Sequence, residues 1–216
     1  MRPGSTARKA ITPAALRTRL ASLLIGVVAL LLGACAASDR QPSPTSGIPR
    51  DLLLQARPIG AGARFRPPVS GPVVGPCRRA LGPRDGVHVE LFAANRVVLV
   101  AAGIGARPPW AFSSGRISRA RCYGDVVTLE PTGVVLVRSG LRPTLSELFR
   151  AWGQLLSGSR LASFTAPAGT RVAVFVDGRR WRGPPGSVPL ARHFEIVLEV
   201  GPYVPPHASY TFPPGA

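Results

Sequence analysis

The chain has 216 residues, 45% of them hydrophobic, enough for one domain to bury a core once any targeting segment is subtracted. Its 24 glycines and 24 prolines exclude an all-helical bundle and favour short strands, turns and extended linkers. Basic residues number 27 against 10 acidic, but they are dispersed rather than clustered with stacking aromatics, so nucleic-acid binding is set aside.

Residues 1–19 carry five basic and no acidic side chains, and Leu20 to Ala34 then runs apolar without a charge. This is the order of a secretory signal peptide. At 1.5 Å per residue the apolar run spans ~22 Å, short of the ~30 Å hydrocarbon core of a bilayer. Leu32-Gly33-Ala34-Cys35 resembles the bacterial lipobox, which implies diacylglyceryl transfer to the Cys35 thiol, cleavage before it and acylation of the new amino group. A plain signal peptide with a coincidental cysteine, or an uncleaved anchor, are the alternatives. Two or more acyl chains give stable anchoring where one is marginal. The expected location is the extracytoplasmic face of a cell membrane, with Cys35 as the lipidation site. Removing residues 1–34 leaves 22 arginines against 10 acids, about +12, a charge that draws anionic partners.

Residues 35–75 are small, polar and rich in proline and glycine, and read as a tether around a short apolar patch, Leu52-Leu53-Leu54. Residues 76–216 form the predicted domain. Val87–Phe92 and Arg96–Val100 read as a hairpin across Ala94-Asn95, and Val126–Glu130 and Val134–Arg138 as a second across Pro131-Thr132-Gly133. The Gly-, Pro- and Arg-rich connection from Ala102 to Arg121 is long enough to be mobile or functional. Thr144-Leu145-Ser146-Glu147 has capping-box spacing, and Leu145, Leu148, Phe149 and Trp152 share one helix face before Gly153. Arg171–Val176 ends at the turn Asp177-Gly178, and Phe194–Val200 places Phe194, Ile196, Leu198 and Val200 opposite Glu195, Val197 and Glu199. Gly201 to Ala216 is proline-rich and extended. The order predicts an α+β domain: a small, mostly antiparallel sheet packed on one amphipathic helix, in a β-grasp-like arrangement.

Cys77 and Cys122 are an even pair in an exported chain, and a disulfide between them would close a loop of about 46 residues. Two separate thiols are the alternative; a metal pair lacks further ligands at standard spacing. His88 and Glu90 share a strand face, but the P-C-x-x-C that would accompany H-x-E in a zinc deaminase is absent downstream. A metal site from His88, Glu90 and His193 would need a fold contact that sequence does not show. No serine stands in G-x-S-x-G, and Gly103-Ile104-Gly105 lacks the third glycine of a dinucleotide loop. No cofactor and no catalytic residue set is expected.

Cys77, His88, Ala102-Gly103-Ile104-Gly105, Cys122-Tyr123, the helix residues Thr144-Leu145, Leu148-Phe149 and Trp152-Gly153, Val174-Phe175-Val176-Asp177-Gly178, His193, Glu195 to Gly201 and Tyr210-Thr211-Phe212-Pro213 occur in an order that resembles a family of exported or membrane-anchored actinobacterial proteins of uncharacterised function. The resemblance covers about 60% of the chain and implies the element order and the Cys77–Cys122 pair. This chain has Glu90 where that family has a second histidine, and Val127-Thr128-Leu129-Glu130 where it has a Leu-His-Thr-His-Asp run. A histidine site of that kind would be lost here. The sequence therefore predicts a non-catalytic, lipid-anchored basic module that binds an anionic lipid or wall polymer, or a protein partner; the competing reading is a degenerate metal-binding or enzymatic module using His88, Glu90 and His193.

Overall fold

A computed structural model of the chain describes residues 56–215. Cys35, the signal segment and most of the tether lie outside the described residues. The central sheet is built on the ten-residue strand β1 (Arg84–Ala93), which is hydrogen-bonded along both edges. On one edge it runs parallel to β14 (Glu195–Val200), with His88 opposite Glu195 and Phe92 opposite Glu199. Its other edge is shared by two antiparallel partners: β8 (Val134–Arg138) along Arg84–His88, and β2 (Arg96–Val98) along Leu91–Ala93. Beyond β8 lies β7 (Val126–Val127); beyond β14 lie β12 (Ala173–Val176) and β13 (Arg179–Arg180).

Local turn chemistry accounts for the hairpins. Ala94 and Asn95 both have positive φ, 50° and 61°, and so do Asp177 and Gly178, 49° and 72°. Two successive left-handed residues are what a tight antiparallel connection of two strands requires. The connection between Ala102 and Arg121 is itself folded. It holds β3 (Ala106–Arg107), which pairs with β6 (Cys122–Tyr123), and the hairpin of β4 (Ala111–Ser113) with β5 (Arg116–Arg119).

The helix α1 (Leu145–Trp152) forms as its capping signals indicate: the Thr144 N–H donates to Glu147 Oε2 at 2.8 Å, and Gly153 closes the helix with φ 80°. Leu145, Leu148, Phe149 and Trp152 are buried together with Val87, Val89, Leu91, Ile196 and Leu198 from one face of the sheet. The α+β, β-grasp-like layout does not hold, however. Among the described residues this is a mostly-β domain with a single α-helix, fourteen strands and a mixed seven-stranded sheet whose centre is parallel. Eight helical residues extend only ~12 Å, whereas the sheet, with β2 and β8 sharing one edge of β1, is six strands wide and at ~4.8 Å spacing spans about 24 Å. Much of the apolar face is instead covered by the small sheet of β9 (Leu156–Ser157), β10 (Arg160–Leu161) and β11 (Phe164–Thr165), and by Phe65, Val74, Val188 and Leu190.

Residues 56–75, grouped with the tether by composition, lie against this body. The Gly60 N–H donates to Val97 O at 3.0 Å, Trp152 Nε1 donates to Pro67 O at 3.2 Å, and the rings of Phe65 and Phe164 meet at 4.8 Å. Cys77 and Cys122 are joined in a disulfide, with their Cα atoms 5.3 Å apart. It reinforces a backbone bridge in which Arg78 and Tyr123 exchange N–H···O bonds of 2.9 and 2.8 Å. Replacing both cysteines by alanine is expected to lower stability by about 3–4 kcal/mol, the chain-entropy value for a loop of this size, read as a drop in the midpoint of thermal or denaturant unfolding.

Candidate functional site

Strand alternation sends Val87, Val89 and Leu91 to the helix-bearing face and His88, Glu90 and Phe92 to the other. The parallel register then aligns Glu195, Val197 and Glu199 with that second face. It is not left to water: all six residues of β14 are buried, because the segment after β14 returns across the sheet. Val204 packs with Phe92, Phe175 and Val197; the Tyr210 ring stacks on His88 at 3.7 Å with 10° between the planes. The sheet thus has an apolar core on one side and a covered polar row on the other.

At the centre of that row, His88 Nδ1 stands 2.7 Å from Glu195 Oε2, and His88 Nε2 stands 3.0 Å from the Thr132 carbonyl oxygen. A carbonyl can only accept, which assigns a hydrogen to Nε2. A neutral ring protonated there presents a lone pair at Nδ1. Two acceptors would then face each other at hydrogen-bond distance, so a proton or a cation has to lie between them. Glu195 is fully buried, and its Oε1 has no hydrogen-bond partner among the described residues. Burial pushes the Glu195 carboxyl above its usual range, against the opposing pull of its bond to His88. Burial, and after it the nearby Glu195, likewise raises the Tyr210 phenol.

One step along, Glu90 Oε2 accepts from His207 Nδ1 at 2.7 Å. Among the described residues, His88, Glu90 and Glu195 are the one set of three whose ligand atoms lie within 4.8 Å of one another. His88 and Glu90 are therefore brought together as the H-x-E spacing suggests. His193 is not part of the set. It sits at φ 62° in the turn before β14, and its ring stacks on Phe212 at 4.7 Å. Glu195, His207 and Tyr210 were not singled out from sequence as site residues. The alternation of Phe194–Val200 did mark Glu195 and Glu199 as sharing a face, and that was the available signal. Beside the cluster lies a cleft of about 440 Å³, lined by Arg116, Glu130, Thr132 and residues 210–214 of the returning segment.

The charged surface is distributed unevenly. Sixteen of the twenty arginines between residues 56 and 215 are exposed, against one of the eight carboxylates, Asp177. The others are engaged or enclosed: Asp125 Oδ1 accepts from Arg138 Nε at 2.9 Å, Glu130 pairs with Arg116, and Glu147 caps α1. Arg78, Arg79, Arg107, Arg119 and Arg121 gather around the disulfide and the β4–β5 hairpin, and none of the five makes an ion pair with the described residues. Phe112 projects from the same hairpin, 61% exposed.

No family model, no curated protein and no solved structure matches this chain.

Two outcomes follow from the covered face. Gly133 has φ 83°, and a Cβ there would stand 2.9 Å from His88 Nε2 and 2.7 Å from Val89 O. Gly133→Ala is expected to destabilise the fold by about 1–3 kcal/mol and to shift the His88 ring resonances in an NMR spectrum. Burial pushes the Glu199 carboxyl up to about 7, offset in part by the N–H of Val204, which donates to its Oε2 at 3.3 Å. A carboxyl whose folded value lies above its unfolded one favours the folded state at acid pH, and this contribution is lost as pH rises through about 7. Glu199→Gln should therefore raise Tm relative to the parent at pH 8 by more than at pH 5.

Proposed function

We propose that this chain is an exported, lipid-anchored and non-catalytic module whose arginine-rich surface binds the anionic headgroups of the membrane that carries it. The observation that supports this reading most directly is the partition of charge: sixteen exposed arginines against a single exposed carboxylate. Seven of the eight carboxylates are buried or half-buried, so the outer surface carries a larger excess of arginine than composition alone suggests. The five arginines around the Cys77–Cys122 bridge are free to meet phosphate oxygens, and the exposed Phe112 adds an apolar group that can enter the headgroup region.

A basic side chain near an anionic membrane contributes about 1 kcal/mol, and the attraction decays within a Debye length. Several arginines acting together therefore give salt-sensitive attachment. Cys35 and the run before it supply the tethering half of the reading, as a motif in the sequence. Among the described residues no helix is long and apolar enough to cross a membrane. Two or more acyl chains on Cys35 would by themselves give stable anchoring, and the basic patch would add a salt-sensitive contact between the domain and the headgroups.

The chain carrying Cys35→Ser and lacking residues 1–34, whose apolar run would itself enter a bilayer, separates the patch from the lipid. It is expected to float with phosphatidylglycerol vesicles at low salt, to be released at high salt, and to ignore phosphatidylcholine vesicles. Replacing Arg107, Arg119 and Arg121 by glutamine should weaken that partitioning on the order of a hundredfold, three arginines at about 1 kcal/mol each. Equal binding to both vesicle types, or binding only to wall material, would remove the headgroup reading. In parent cells, radiolabelled palmitate should enter the protein and fail to enter the Cys35→Ser variant.

A further inference from the structure

We propose that His88, Glu90 and Glu195 form a site for one divalent cation of the zinc class, with His207 as the outer partner that holds Glu90. This site lies on the covered face of the sheet and does not depend on the headgroup reading. Its ligand atoms, one imidazole nitrogen and two carboxylate oxygens, already stand within 4.8 Å of one another. Tetrahedral ligands at ~2.1 Å from zinc lie roughly 3.4 Å apart, so side-chain adjustment closes the set around an ion without moving the sheet.

The outer contacts are those a metal-binding histidine needs. His88 Nε2 donates to the Thr132 carbonyl, which fixes the tautomer and turns the Nδ1 lone pair toward Glu195. Glu90 accepts from His207, the usual way in which a ligating carboxylate is oriented. Glu195 Oε1 is fully enclosed and has no partner among the described residues, a cost that coordination would relieve. Charge points the same way: with an ion bound, a neutral imidazole and two carboxylates sum to −2, which a divalent ion brings to zero. One nitrogen and two oxygens suit zinc; calcium takes six to eight oxygens, more than these three side chains offer.

Three protein ligands leave one coordination position for water or a small anion. The Tyr210 ring, stacked on His88, covers the site from the returning C-terminal segment. His193, on the turn before β14, is left outside.

The test uses the full chain, stripped with a chelator, then titrated with zinc sulfate and in parallel with cobalt chloride. Elemental analysis after dialysis should give one zinc per chain, zinc should raise Tm, and cobalt should give the visible absorption bands of a four-coordinate ion. Glu195→Gln and Glu90→Gln should each abolish stoichiometric uptake; Glu90 lies partly at the surface, so its variant keeps the parent circular dichroism spectrum. His207→Gln should weaken affinity about 10- to 100-fold. His193→Ala should leave uptake unchanged. No stoichiometric uptake by the parent would overturn the proposal and leave a shared proton as the only bridge between His88 and Glu195. Uptake that survives in Glu90→Gln, or that is lost in His193→Ala, would overturn it equally.

Discussion

The parallel hydrogen-bonded register between β1 and β14 sets His88 beside Glu195 and Phe92 beside Glu199. Both strands lie inside the sheet, and β14 is buried throughout, as interior parallel strands generally are. A slip of one residue would exchange the two faces, sending Ile196 and Leu198 out of the apolar core and both glutamates into it. The apolar side of this register is thus what holds the polar side in place. Packing of Leu91, Ile196 and Leu198 against α1 leaves His88 and Glu195 no choice of position.

From that register the rest of the covered face follows. Two carboxylates buried in a sheet need compensation, and the chain provides it from three separate places. The strand pair contributes His88, the turn after β7 contributes the Thr132 carbonyl, and the returning C-terminal segment contributes His207, the Val204 N–H and the Tyr210 ring. The same arrangement shapes the exterior. Carboxylates that are half-buried or buried leave most of the exposed arginines without an acidic neighbour, so the basic surface follows from where the acids are placed. Arg84 is the exception among the cations: it is buried, its guanidinium lowered to about 10 by burial and by the neighbouring Arg138, and it donates to the carbonyls of Leu81 and Asp125.

How much was readable beforehand depends on how local the physics is. The β1–β2 hairpin and the turn at Asp177-Gly178 that ends β12 were legible from strand alternation and turn residues, and α1 from the Thr144–Glu147 spacing and Gly153, because each signal lies within a few residues of what it directs. Cys77 and Cys122 were legible because, with the lipobox-like cysteine set aside, they are the one even pair left in the sequence. The amphipathic face of α1 is real, but one short helix cannot cover a wide sheet, and no periodicity reports the breadth of a sheet. Half of the cluster, His88 and Glu90, was visible as neighbours on one strand face. Glu195 was not, because it arrives through a pairing about a hundred residues distant, and neither was His207, carried by a segment without regular structure.

The sequence by itself determined the positions of turns, the helix and its caps, the identity of the disulfide cysteines and the excess of arginine, since these depend on residue type and short-range spacing. Only the tertiary structure decided that the sheet is mixed, that its second face is covered, that Glu195 rather than His193 joins His88 and Glu90, and that the exposed charge is almost entirely arginine. The physical reason is that hydrogen bonds between distant strands are backbone contacts with no residue-specific signature. Their register emerges from the packing of the whole apolar core, and the polar side chains opposite that core are carried along with it.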